Sequence, residues 1–315
     1  MSNSTRISFC IFEENKPETM KKSSLRVLLI ISLLIVAGLI YIFTYVPPLS
    51  EKHGNVEMEL FLGEGDKQAL IVAFGGGGGG NDWARDYMKA KRDSLNKMGY
   101  AVLAVGYFNF GNTPASLDRI SLNAISDSIL HVAKHPQING DKIALIGGSR
   151  GGELALNLAS RFNHFKAVIA LSTSNVSFPA ITWSANTSSW TFNDEEVTYV
   201  PAPFKIILPA LKGDLYTAHS MMLEDKGAVK NAEIKVEDIN GPILIISGKN
   251  DEQWPATEMS NQLMARLKEN NFRFHKEHAI LNGGHISPLD HFNLVYDFLD
   301  QHFANQQIVA TSKGI

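Results

Sequence analysis

Along the chain, short apolar runs recur between stretches whose apolar residues fall every three or four positions. The runs occupy 56–62, 68–74, 100–107, 142–146, 166–171, 242–247 and 272–281, and the helical spacings occupy 83–98, 116–133, 151–161, 256–269 and 288–303. Near-continuous Val, Ile and Leu in the runs predicts strands covered on both faces. The alternation therefore predicts an α/β fold, doubly wound about a mostly parallel sheet. The pattern fails at about 172–240, where Trp183, Trp190, Phe192, Tyr199, Phe204 and Tyr216 stand among Ser, Asn and Pro. That segment reads as an insertion, either a lid over a site or a structural excursion with its own aromatic core.

One apolar stretch is of another kind. Residues 27–46 carry no charge over a length that covers a bilayer core, which predicts a transmembrane anchor. A cleavable signal peptide is the competing reading, but the apolar region is long and "VPPLS" is a poor cleavage site. Arg6, Lys16, Lys21, Lys22 and Arg26 precede the stretch, whereas Lys52 is the one nearby cation after it. The positive-inside rule then predicts a single-pass protein with a cytoplasmic tail at 1–26 and an extracytoplasmic domain. The expected organisation continues with a Pro and polar linker at 47–55, one domain at 56–305 that contains the insertion, and a tail at 306–315.

Composition narrows the partners. A net charge of −3 and the lack of a basic block exclude a strong electrostatic grip on nucleic acid. Cys10 is the single cysteine, so there is neither an intrachain disulfide nor a thiolate metal site. It reads as a bystander thiol, with lipidation beside the membrane span as the alternative.

The segment "ALIGGSRGGELALNLAS" places Gly147, Ser149 and Gly151 as G-x-S-x-G between a strand and a helix. This context predicts a nucleophile elbow, a sharp strained turn that raises Ser149 Oγ above the sheet. A serine needs a base and an orienting acid, expected in the chain order Ser, acid, His on loops after strands. Asp251 follows the strand in "PILIISGKNDEQWP", and His285 sits in "AILNGGHISP" after the last strand. Asp251 can also be read as a cap for the next helix, with Glu252 or Asp238 as the acid. Glu153 reads as a carboxylate placed favourably against the helix dipole, and the backbone N–H of Arg150 as an oxyanion donor.

Six glycines, Gly75 to Gly80, follow the 68–74 run. A dinucleotide site would want an acid at the end of the next strand, which closes "VGYFNFGN" without one, and no Gly-Lys-Ser/Thr follows to make a P-loop. The run sits where hydrolases of this kind supply a second oxyanion donor, assigned to Gly76 or Gly77.

Taken together, "GGSRGGELALNLAS", "VIALSTSN", "GPILIISGKNDEQWPATEMSNQL" and "GGHISP" resemble the C-terminal catalytic domain of the acyl-CoA thioesterase and bile acid-CoA:amino acid N-acyltransferase family. The resemblance implies an α/β-hydrolase fold, with nucleophile, acid and base on Ser149, Asp251 and His285. In that family serine accompanies thioesterases and cysteine the acyltransferases, so Ser149 implies hydrolysis. The stretch between the anchor and the glycine run is too short for the family's N-terminal β-sandwich domain.

The expected protein is thus a membrane-anchored serine hydrolase acting on a small-molecule acyl ester or thioester, with no metal or cofactor. Its rivals are a serine peptidase of the same fold and a non-catalytic anchored binding protein.

Overall fold

The computed structural model describes residues 22–304, so Cys10 and most of both tails lie outside the described residues. Two compact units divide the chain after Thr44. The first contributes one helix, α1 (Lys22–Thr44), whose Ser24–Tyr41 window has a mean hydropathy of 2.4 and is exposed along its length. It is long and apolar enough to cross a membrane or to serve as a signal sequence. The candidate linker, 47–55, lies within the second unit, where Arg119 donates to Pro47 O (2.6 Å) and Ser121 N–H to His53 O (3.1 Å).

That unit is built on a seven-stranded sheet. In chain order its strands are β1 (Glu57–Phe61), β2 (Gln68–Phe74), β3 (Tyr100–Gly106), β5 (Ile138–Gly148), β6 (Phe165–Leu171), β9 (Ile243–Gly248) and β10 (Lys276–Leu281). A second, three-stranded sheet holds β4 (Ile120–Ser121), β7 (Trp190–Phe192) and β8 (Glu195–Glu196). The large sheet runs β1-β3-β2-β5-β6-β9-β10, with β1 antiparallel and every other pairing parallel. Alternate residues of β2 face opposite cores: Leu70, Val72 and Phe74 on one side, Ile71 and Ala73 on the other, all fully buried. The sheet is therefore covered on both faces, the condition that produces unbroken apolar runs.

Helices α2 (Lys89–Lys97), α3 (Leu122–Val132), α4 (Arg150–Ala159), α8 (Ala256–Glu269) and α9 (Asn293–Phe298) pack on this sheet and its flanks. The insertion between β6 and β9 adds α5 (Ile207–Leu211), α6 (Leu215–Met222) and α7 (Lys226–Ala232).

Several boundaries differ from the expected ones for identifiable reasons. Helix α3 begins at Leu122 rather than 116, because Ile120 and Ser121 pair with Trp190 and Thr191 of the insertion. Ser121 Oγ then accepts the Ala124 N–H and caps the helix. The last strand starts at Lys276 rather than 272, since its one neighbour, β9, starts opposite it at Ile243. The 83–98 spacing resolves into two 3-10 turns before α2, with Arg85 extended between them. The 288–303 spacing becomes a 3-10 turn, α9 and a final π-helical turn. The insertion holds three short helices and a share of the small sheet, while no helix or strand falls in its first part, 172–189.

The insertion is rooted on α4 through Glu153. This carboxylate is fully buried, and its role exceeds the dipole placement expected from sequence. It pairs with Arg150 at 2.7 Å and accepts from Trp190 Nε1 (2.6 Å), Phe178 N–H (3.2 Å) and Ser174 Oγ (3.3 Å). Arg150 in turn donates to Phe178 O, Pro179 O and Ser189 Oγ. Burial pushes the Glu153 carboxyl up and the Arg150 guanidinium down, and the attraction between them opposes both shifts.

Removing one partner should leave a buried uncompensated charge. Glu153→Gln is expected to cost about 3–5 kcal/mol in denaturant unfolding, against roughly 1 kcal/mol for Trp190→Phe, which removes one hydrogen bond. A Glu153→Gln protein as stable as the parent would show that the pair does not hold the insertion.

The glycines of the elbow give a sharper contrast. A Cβ on Gly151 would stand 2.3 Å from Gly75 O, and one on Gly147 2.0 Å from Gly151 O, whereas Gly148 has open space around it. Gly151→Ala should therefore lose about 3 kcal/mol or more by overpacking, while Gly148→Ala melts close to the parent temperature. Equal melting temperatures for the two variants would contradict the packing described.

Candidate active site

The chain order of the sheet reverses at β2. From β2 the chain goes outward to β3, and later returns to β5 on the other side of β2. Crevices at such switch points, outside the carboxyl ends of the strands, are where open α/β sheets bind ligands. The register pairs Phe74 with Gly147, so the glycine run and the G-x-S-x-G turn leave the sheet as neighbours.

Ser149 caps α4 with φ 56° and ψ −124°, a conformation L-residues rarely occupy and one that costs about 1–3 kcal/mol. Its N–H donates to Leu171 O at 2.8 Å, which ties the turn to β6. The close approaches at Gly147 and Gly151 bring α4 directly over the sheet, leaving Ser149 Oγ at the head of the helix.

Asp251 and His285 lie on the loops after β9 and β10, adjacent parallel strands, and the fold brings them together. His285 Nδ1 donates to Asp251 Oδ2 at 2.7 Å. Asp251 is 5% exposed, and its Oδ1 accepts the N–H groups of Gln253 (2.8 Å) and Trp254 (3.2 Å). The carboxylate thus faces the imidazole and also accepts from the turn ahead of α8, whose own N-cap is Pro255. Glu252 instead accepts the backbone N–H of His285 at 3.0 Å, and Asp238 lies in a different surface pocket. The ring of His285 also meets the edge of Trp254, with centroids 5.8 Å apart, and its carbonyl accepts from Ser172 Oγ at 2.7 Å.

Ser149 and His285 line one cavity of about 700 Å³, together with Arg150 and the glycine loop. No hydrogen bond joins Ser149 to His285 among the described residues. A Cβ on Gly76 would stand 3.3 Å from Ser149 Cβ, and one on Gly77 3.2 Å from Arg150 Cγ. Neither glycine's N–H is bonded within the protein among the described residues. Ser149 therefore stands between the glycine loop and the N-terminus of α4.

Most of the remaining wall is apolar or aromatic, with Trp83, Met88, Leu171, Ile181, Leu289 and Trp254, while Asp82, Gln253 and His219 add polar groups. Trp254 stacks on Phe178 of the insertion at 5.5 Å, and its Nε1 donates to Ser172 O at 3.0 Å. The insertion thus forms one wall of the cavity as well as a small core, so its two sequence readings merge.

Sequence reasoning missed His219, on α6. Its Nδ1 donates to Leu215 O and Gln253 O, each at 2.9 Å, and its ring packs on Phe178 and Trp254 within the same cavity wall. Burial lowers its pKa, which keeps the imidazole neutral. Nothing in the local sequence distinguishes this histidine from the others, since its place depends on how the insertion folds back.

Comparison with known proteins bears on this arrangement. A family described as "BAAT / Acyl-CoA thioester hydrolase C terminal" matches residues 120–292, and an α/β-hydrolase family of unknown function matches 55–184. Acyl-coenzyme A thioesterase 1 of Mus musculus is 30% identical over 69% of this chain and 49% of its own length. Bile acid-CoA:amino acid N-acyltransferase of the same species is 22% identical over 73% of this chain and 51% of its own. The chain spans about half the length of these curated relatives. Among solved structures, an acylaminoacyl peptidase of Pyrococcus horikoshii superposes with a TM-score of 0.57 at 16% identity, over 79% of this chain and 39% of that one. That likeness is one of fold. Since the first family match covers more than half the chain, from β4 past His285, this protein belongs to the BAAT and acyl-CoA thioester hydrolase C-terminal family, within the α/β-hydrolase fold.

Proposed function

We propose that the protein is a membrane-anchored serine hydrolase that cleaves acyl thioesters or esters through an acyl-enzyme. The observation carrying this reading is the Asp251–His285 pair at 2.7 Å, on the same cavity wall as a serine held at positive φ on the head of α4.

Ser149 Oγ attacks the acyl carbonyl while His285 Nε2 takes its proton. The Asp251 carboxylate keeps the proton on Nδ1, so Nε2 is the free base, and balances the imidazolium that forms. The N–H of Arg150 and that of Gly76 or Gly77 receive the developing oxyanion. Collapse breaks the bond to the thiol or alcohol, which leaves with the proton from His285. Water, deprotonated by the same imidazole, then attacks the acyl-serine, and Ser149 is regenerated with release of the acid.

The family relatives named as acyl-coenzyme A thioesterases favour a thioester, and the apolar cavity favours an aliphatic acyl group. The anchor is α1, with the cationic residues ahead of it keeping the N-terminus cytoplasmic and the hydrolase unit on the far side.

A fluorophosphonate probe should label the protein at Ser149 and leave Ser149→Ala unlabelled, and Ser149→Ala or His285→Ala should lower kcat by roughly 10^4-fold or more. A folded, unlabelled parent would overturn the hydrolase reading in favour of a binding protein. Turnover of peptide amides in preference to thioesters and esters would move the assignment to the peptidase rival.

The cavity also predicts a dependence on acyl length. Each methylene buried contributes about 0.8 kcal/mol, so kcat/KM should climb by up to about fourfold per carbon until the cavity is full. A flat profile across chain lengths would show that the acyl group is bound elsewhere.

A further inference from the structure

Trp83, Trp190 and Trp254 are buried, but Trp183 is 99% exposed. A tryptophan so placed gains nothing from the fold. It lies in the stretch 181–190, which carries no charge, and the stretch 41–50 carries none either. The two are joined in space: Asn186 Nδ2 donates to Tyr45 O at 3.1 Å, and Tyr45, Pro47, Ile181 and Trp183 line one surface cavity of about 580 Å³. Val46, Leu49 and Ile181 add exposed aliphatic surface beside it.

Position along the chain gives this patch its meaning. Tyr45 follows directly on Thr44, the last residue of α1, and one peptide unit spans only about 3.8 Å. Where α1 leaves a bilayer, the patch begins. Tryptophan and tyrosine are the side chains that prefer the boundary between headgroups and hydrocarbon.

The patch also adjoins the catalytic cavity. Ile181 lines both cavities, and its Cδ1 lies 3.1 Å from where a Cβ on Gly77 would stand. Its side chain is thus the partition between the surface cavity and the oxyanion loop.

We propose that the face formed by residues 45–49 and 181–186 rests on the phospholipid bilayer at headgroup depth, and that acyl chains leave the bilayer beside Trp183 and pass Ile181 to reach Ser149. The inference rests on the anchored-hydrolase reading and specifies the source of its substrate: a lipid-embedded acyl ester or thioester rather than one dissolved in water.

The test uses the full chain in phosphatidylcholine vesicles, with and without bromine on the acyl chains close to the headgroups. Flotation establishes that the protein is bound. Bromolipid should then quench a tryptophan component that Trp183→Ser lacks. Trp183→Ser should also lower turnover of a bilayer-embedded long-chain thioester several-fold while leaving that of a water-soluble short-chain thioester unchanged. Quenching of Trp183 by aqueous acrylamide but not by bromolipid overturns the inference, as does an equal loss on both substrates. Failure to float overturns the anchor and the inference with it. A protein that floats and is quenched by bromolipid, yet turns over neither thioester, keeps the bilayer face and overturns the hydrolase reading.

Discussion

Most of this architecture depends on one close contact, where the end of β5 turns into α4 with backbone against backbone. A Cβ on Gly147 would strike Gly151 O there, and one on Gly151 would strike Gly75 O. That contact drives Ser149 into its positive-φ conformation, since the chain must reverse within one residue. It also sets α4 against the glycine loop after β2, so that helix N-terminus, loop N–H groups and serine oxygen share one small volume. A strained turn persists only where its surroundings over-determine it. Here they do so through the Leu171 carbonyl on one side and the wholly buried helix on the other.

Arg150 links this contact to the insertion. It lines the cavity beside Ser149, while its guanidinium is buried among Glu153, Ser189 and the carbonyls of Phe178 and Pro179. A charge so far from water is tolerable only with its partner in place. The insertion therefore cannot leave α4 without exposing or unpairing that charge, which makes the cavity wall a rigid shelf at Phe178 and Trp254. A mobile lid would need a hinge elsewhere. The second root, Arg266 of α8 against Glu233 (2.5 Å) and Glu237, lies at the far end of the same segment.

What the sequence revealed and what it hid follow from the range of the interactions involved. The inner strands of the central sheet were legible because burial on both faces leaves a local record along them, and the elbow because its glycines are required by local geometry. The positions of Asp251 and His285 were legible through chain order and their place after strands. The three helices of the insertion were not, since Pro203, Pro209 and Gly213 break the periodicity and the buried residues of α6 and α7 pack on a non-local core with Trp254 and Met259. Glu153 was legible as a helix-start carboxylate, but its burial depends on Trp190, Phe178 and Ser174, residues fixed only by the return of the insertion.

The same distinction explains why His285 is held from so many directions. Its Nδ1 is fixed by Asp251, its N–H by Glu252, its carbonyl by Ser172 and its ring face by Trp254, groups that come from the ends of β6 and β9. A side chain on a loop gains its orientation from such surroundings, because the loop backbone alone leaves the imidazole free to swing. Trp254 is the shared member, touching His285 on one side and Phe178 and His219 on the other. The orientation of the imidazole is thereby coupled to the packing of the insertion, since Trp254, which aims it, also stacks on Phe178 and lines the cavity.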